Sequence, residues 1–210
     1  MKNIAAQTAR WLLQINAIQL NPQNPFTWAS GIQSPIYCDN RVTLSYPNVR
    51  EGIADGFVKL TQTFDNIEAI AGVATAGIPH GMLLAHKLGL PFSYVRSKAK
   101  AHGKQNQIEG RIEKGQRILM VEDLISTGGS SLKAVDAMRE AGAEVIGVLA
   151  IFTYSFDAAQ QAFDEAGCTL RTLSNYEALL PEALAQHYIS DMDLKHLQAW
   201  RKDPKGWKAA

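Results

Sequence analysis

The sequence predicts an α/β fold, a central and mainly parallel sheet flanked by helices, and three observations carry that prediction. Short, continuously apolar runs recur as AIAGVA at 69–74, PFSYV at 91–95, RILMV at 117–121 and EVIGVLAIF at 144–152. Strands that are apolar on both faces must be covered on both, which is the situation of a parallel sheet with crossover helices. Patterns of helical period lie between several of these runs, and glycines at 89 and 142 close two of them.

Taken in order, the first segment sets Ile4, Ala5, Trp11, Leu12, Ile15 and Ile18 near helical spacing and predicts an amphipathic helix over 3–20, stopped by NPQNP at 21–25. Residues 26–46, FTWASGIQSPIYCDNRVTLSY, mix aromatics and β-branched residues with Gly and Pro, which predicts short strands and turns. Pro47 suits a helix start, and Val49, Ile53, Phe57 and Leu60 follow as one apolar stripe. The run at 69–74 then reads as strand, Gly77-Ile78-Pro79 as loop, and Met82 to Leu88 as helix. A strand at 91–95, a polar stretch at 96–115, a strand at 117–121, a helix at 130–142 and a strand at 144–152 complete the predicted core. The remainder is read as C-terminal helices, ending in a tail, RKDPKGWKAA, that Trp207 alone is placed to hold down.

Composition narrows the function. A chain of 210 residues, 46% hydrophobic, supports one sizeable core and a single domain. A formal charge of +1 gives no field for a polyanion, so no nucleic acid is expected as a partner. Cys38 and Cys168 lack CxxC spacing and read as reduced thiols. The opening MKNIAAQTARWLLQ has polar residues where a signal peptide has its apolar block, and no run reaches the ~20 apolar residues of a membrane span. A cytoplasmic location and no membrane partner are therefore expected. His80 and His86, six apart, miss the spacing of a metal-binding helix face, no dedicated metal ligands are expected, and the four tryptophans read as packing residues.

The chemistry is concentrated in VEDLISTGGS at 121–130. A buried strand there ends in Glu122 and Asp123, and Ser126, Thr127, Gly128, Gly129 and Ser130 lead into a helix. Ligands of open α/β sheets sit at such strand ends. Glycines admit an anion close to the backbone, hydroxyls donate to it, and the helix start adds N–H groups and dipole. Two carboxylates repel phosphate and instead need hydroxyls or a cation. A phosphorylated sugar has both phosphate and vicinal hydroxyls. The plainer alternative is that the hydroxyls only cap a helix. Neither GxxxxGKS/T nor GxGxxG is present. A second segment, YVRSKAKAHGKQNQIEG at 94–110, has Arg96, Lys98, Lys100, His102 and Lys104 among small residues, and reads as a mobile basic loop or, more plainly, a solvated surface loop.

VEDLISTGGS resembles the signature of the type I phosphoribosyltransferases. The resemblance implies their fold with a small N-terminal hood of helix and short strands, and a donor, phosphoribosyl pyrophosphate (PRPP). The order R-x-x-x-K-x-H-G from Arg96, and FTWASGIQSPIYCD at 26–39, are similar to the orotate phosphoribosyltransferases, and GVATAGIPHG at 72–81 to their pyrophosphate loop. The likeness runs from about residue 10 to 155. It divides the single domain into a hood at 1–46, a core at 47–155 with its catalytic loop at 96–110, and C-terminal helices at 156–210.

By that resemblance Arg96, Lys100 and His102 bind pyrophosphate, Lys100 and Asp123 are catalytic, and Glu122 and Asp123 hold the ribose hydroxyls. Leu124, Ile125, Ser126, Thr127, Gly128, Gly129 and Ser130 wrap the 5-phosphate, and Ser126, Tyr37 and Cys38 face orotate. Magnesium (Mg2+) rides on the substrate, and a homodimer shares its catalytic loops between subunits. Relative to the family pattern, lysines are replaced by Ser97, Ala29 and Ala76, with Lys98 placed to substitute for the first, and TYSFDAA at 153–159 lacks the arginine expected for the orotate carboxylate. The implied reaction makes orotidine 5-monophosphate and pyrophosphate from orotate and PRPP. The alternatives are a purine phosphoribosyltransferase and a non-enzymatic PRPP-sensing regulator. The second is disfavoured because the helix at 3–20 offers only Arg10, with Lys2 before it, as cations.

Overall fold

The computed structural model describes residues 2–28, 31–97 and 107–209. Helix α1 (Lys2–Gln14) buries Ala9, Leu12 and Leu13. It stops earlier than its apolar spacing predicts, because Asn16 takes a left-handed φ of 55°, a conformation asparagine tolerates better than most residues. The chain is thereby released into β1 (Ile18–Leu20), so Ile15 and Ile18 lie outside the helix. A hairpin of β2 (Phe26–Thr27) and β3 (Gln33–Ser34) follows, and β4 (Ile36–Cys38) pairs antiparallel with β1. These short strands and a 3₁₀ turn at Asn40–Ser45 form the expected hood.

The core alternates as predicted: α2 (Pro47–Thr61), β5 (Ala69–Val73), α3 (Gly77–Leu88), β6 (Phe92–Val95), then β7 (Ile108–Glu109), β8 (Arg117–Ile125), α4 (Gly129–Glu140) and β9 (Glu144–Thr153). After it come α5 (Asp157–Glu165), β10 (Leu170–Asn175), α6 (Tyr176–Ala185) and α7 (Asp191–Lys202). The six strands lie in the order β10-β9-β8-β5-β6-β7, all parallel except β7, which pairs antiparallel with β6. Two strands depart from the sequence reading. β7 is only two residues long within the polar stretch, and β10, Leu-Arg-Thr-Leu-Ser-Asn, lies in the region read as purely helical. As a strand beside β9 alone it buries only Leu173 and Ser174, so its sequence lacks the continuous apolar run of the inner strands.

Helices cover both faces. One core joins α1, α2, α3, α6 and α7 around Phe57, Ile70, Leu119, Leu149 and Phe152, and the other packs α4 and α5 on Met120, Val148 and Phe163. Trp200, fully buried on α7, meets Trp28, Tyr154, Phe156 and Tyr176 at ring-centroid distances of 5.5–5.7 Å, or 5.9 Å for Tyr154. Its Nε1–H donates to the Gln33 carbonyl at 3.1 Å, tying the C-terminal helix to the hood. Trp207 packs against this core, but it does not hold the tail alone: α7 continues through Arg201 and Lys202, and Arg201 donates to the Ser155 carbonyl. Among the described residues, no helix is long and apolar enough to cross a membrane.

Candidate active site

The sheet reverses its order at β5. The chain moves from β5 out to β6, then returns to lay β8 on β5's other side. Loops leaving adjacent strands on opposite sides of such a switch open a crevice at their carboxyl ends. Here the loop before α3 and the loop before α4 flank that crevice. They approach very closely: a Cβ added to Gly77 would sit 2.2 Å from the Val121 carbonyl oxygen. Only a glycine permits α3 to begin so near β8.

Both helices start without a side-chain cap, α3 after Ala76 and α4 after Gly128. The reading in which the hydroxyls merely cap α4 therefore does not describe this helix. Gly128 takes a left-handed φ of 81° and turns the chain sharply, with Phe163 behind it. Thr127, Gly129 and Ser130 are exposed around that turn, and Ser126 is half-buried. Free N–H groups, hydroxyls and the dipole converge there, as an anion requires.

The carboxylates are not beyond the strand but inside it, since β8 continues through Glu122 and Asp123 to Ile125. Pairing with β9 extends that far, Leu124 opposite Phe152 and Ile125 opposite Thr153. Glu122 is buried. Its Oε1 accepts from the Asp123 N–H at 3.0 Å and its Oε2 from the Ser131 hydroxyl at 3.2 Å. Burial, reinforced by the Asp123 charge, pushes the Glu122 carboxyl up to about 8, and burial raises Asp123 as well. Between about pH 4.5 and 8 the folded chain thus retains a proton at Glu122 that the unfolded chain has lost. Stability of the unliganded protein is expected to fall as pH rises through that window. Thermal melts of wild type and Glu122→Gln across it check this: the wild-type decline should flatten in the variant.

Asn40 was not singled out by the sequence reading, though it directly follows the quoted hood segment. Its Nδ2 donates to the Asp123 carbonyl at 2.7 Å and ties the hood to β8. Tyr37, Cys38 and Ser126 line one cavity of about 270 Å³, together with Thr27, Trp28, Tyr154 and Leu124, the last a residue the resemblance assigned to the phosphate. Trp28 and Tyr154 are additions to the predicted set. Their rings lie 5.2 Å apart at 40°, so Trp28 serves the cavity as well as the core. Burial and the nearby Asp123 and Asp39 charges push the Cys38 thiol up, keeping it neutral. No cation is among the cavity's described lining residues. Arg41, close by in sequence, is engaged with Asp39 through Nε and Nη2 at 2.6 and 2.7 Å.

Arg96 leaves β6 with its N–H bonded to the Gln107 carbonyl at 2.8 Å and its Nη1 3.5 Å from Glu109 Oε1. It shares a second cavity, about 580 Å³, with Ala74, Ser97, Ser130 and Lys133, the last another residue the sequence reading missed. Lys100 and His102 lie outside the described residues, as does Lys98. His80 is buried on α3, its Nε2 3.2 Å from Thr43 Oγ1, and burial pushes it down to about 4, whereas His86 is exposed. Neither stands in a metal-binding group. Among the described residues no three metal-ligating side chains cluster, and the donors at hand, two adjacent carboxylates in the crevice, fit a hard cation that arrives with its own oxygen ligands.

A model of the phosphoribosyl transferase domain matches residues 44–186. The chain is 54% identical over 206 residues to the orotate phosphoribosyltransferase of Listeria monocytogenes serotype 4b, covering 98% of this chain and 99% of that relative. Its fold is similar to the crystal structure of orotate phosphoribosyltransferase from Aeropyrum pernix, with a TM-score of 0.73, 28% identity, and coverage of 83% of this chain and 96% of that one. It is likewise similar to the Mycobacterium tuberculosis orotate phosphoribosyltransferase in complex with PRPP, with a TM-score of 0.65, 25% identity, and coverage of 84% and 98%.

Proposed function

The chain belongs to the phosphoribosyl transferase family, and from that premise we propose how its crevice carries out the transfer. The activity is that of an orotate phosphoribosyltransferase. The 5-phosphoribosyl group passes from PRPP to orotate, giving orotidine 5-monophosphate and pyrophosphate in pyrimidine biosynthesis.

One observation supports the residue-level reading above all: two helix starts without side-chain caps flank a crevice whose floor has adjacent carboxylates, Glu122 buried and Asp123 half-buried. That is a site for two anionic groups joined by a polyhydroxylated linker. The 126–130 turn takes the 5-phosphate, with Leu124 and Ile125 at its entry. Glu122 and Asp123 accept hydrogen bonds from the ribose hydroxyls. The 74–77 loop with Arg96, Lys100 and His102 takes the diphosphate. Orotate enters the cavity between Tyr37, Cys38 and Ser126, its ring against the Trp28 and Tyr154 wall.

No side-chain nucleophile is required. Holding the ring nitrogen opposite the leaving group makes attack at the anomeric carbon effectively unimolecular and gives inversion there. As the C–O bond breaks, negative charge grows on the departing diphosphate, and cations fixed in advance stabilise it most where it develops. Closure of the basic segment excludes water, which would otherwise capture the oxocarbenium-like sugar. Magnesium would be held mainly by the substrate's own oxygens, with Asp123 as the carboxylate at hand, and would supply further neutralisation of the diphosphate. A homodimer in which each basic segment serves its neighbour completes the proposal.

Turnover of orotate against hypoxanthine, xanthine and adenine, with PRPP and magnesium, tests the reading. Turnover of orotate alone is expected. Preference for a purine base would move the chain to the other branch of the family, and no turnover with any base would favour a sensing role.

A further inference from the structure

We infer that Arg201, on the C-terminal helix and outside the cavity, is a positioning residue for the base, acting through the 153–157 turn; the inference rests on the orotate reading above. Tyr154 forms part of the cavity wall and is followed by Ser155, a non-glycine residue at a left-handed φ of 56°. A residue in that conformation persists only where its surroundings hold it. Three groups hold this one. Arg201 Nη2 donates to the Ser155 carbonyl at 2.5 Å, the Ser155 hydroxyl donates to Glu177 Oε2 at 2.8 Å, and the Ser155 N–H donates to Thr153 Oγ1 at 3.1 Å. Arg201 closes the clamp, with Nε 2.9 Å from Glu177 Oε1, an ion pair by distance without the alignment of a hydrogen bond.

The clamp bears on the base side and not on the sugar side. Tyr154 stacks on Phe156 at 5.6 Å and packs at a tilt against Trp28 at 5.2 Å, both of which rest on Trp200, the residue preceding Arg201. Its N–H donates to the Ile125 carbonyl at 3.2 Å, which sets the wall's height over Ser126. The carboxylate pair and the α4 turn make none of the clamp's bonds. Loosening Arg201 should therefore let the Tyr154 wall shift while the donor site is preserved.

The test is steady-state kinetics of Arg201→Met, Arg201→Lys and Glu177→Gln with orotate and PRPP varied separately, alongside thermal melts. Loss of the charge-assisted bond in Arg201→Met should raise the KM for orotate about tenfold, with kcat and the KM for PRPP within about twofold. Arg201→Lys should recover part of that loss and Glu177→Gln should show a smaller selective rise. Should Arg201→Met not fold, the other two variants decide by the same criterion. An unchanged orotate KM, or a fall in activity that tracks lowered melting temperature with both KM values moving together, overturns the inference. Wild-type turnover of orotate is the separate arm that tests the underlying reading.

Discussion

Replacing Lys100 with Ala is expected to lower kcat by about 10²–10³-fold, the cost typical of removing one preorganised stabiliser of transition-state charge. The proposed role places its ammonium on the leaving diphosphate, so the deficit should appear in the chemical step and not in the affinity for orotate. Single-turnover and steady-state rates measured together separate the two. A segment composed of lysine, alanine, histidine and glycine has little apolar surface to bury, so the melting temperature should stay within a degree or two of wild type. Near-normal turnover in a folded variant would remove Lys100 from the mechanism. It would leave Arg96 and His102 from the same segment, and Lys133, on the first turns of α4, as the cations for that charge.

Gly77→Ala should have the largest effect on stability of any single methyl added at the crevice. The new Cβ would stand 2.2 Å from the Val121 carbonyl oxygen and 3.2 Å from the Glu122 Cα, both backbone atoms. Neither a rotamer change nor a flexible side chain can relieve that overlap. Either α3 is driven off β8 or the strand bows, at a cost of about 3 kcal/mol. A urea unfolding midpoint lowered with little change in slope is the expected result. Gly129→Ala is the control, since a Cβ there meets nothing within 4 Å, and its unfolding midpoint should stay close to wild type. Equal midpoints for the two variants would show that the approach of α3 to β8 is not a constraint.

Most of the sheet was legible because its inner strands are apolar throughout. AIAGV, RILMV and EVIGVLAIF announce burial on both faces, and the α3 helix closes at Gly89 where the glycine predicted it. Leu-Arg-Thr-Leu-Ser-Asn does not announce itself, because a strand at the sheet's margin needs no continuous apolar run. The early end of α1 was hidden for a related reason. Ile15 and Ile18 are buried as the helical spacing suggests, but Ile18 is buried from a strand, and apolar period alone does not distinguish the two.

The site divides in the same way. Acids, glycines and hydroxyls that are contiguous in sequence, residues 121–130, were readable as a unit because the end of β8 and the turn into α4 supply them all. Asn40, Trp28, Tyr154 and Lys133 are scattered along the sequence and reach the strand end and the two cavities beside it only after folding. The uncapped starts of α3 and α4 likewise depend on backbone placement. Residue type alone would have assigned those hydroxyls to capping.

The indole of Trp200 joins parts of the chain made far apart in time. A ribosome delivers the carboxylate strand and its glycine turn about seventy residues before Trp200, whereas the hood strand that Trp200 bonds, at Gln33, was among the first segments to emerge. On the proposed assignment of the site, the nascent chain therefore acquires its donor side before the aromatic backing of its base side. Ribosome-bound intermediates should engage the donor ahead of the acceptor.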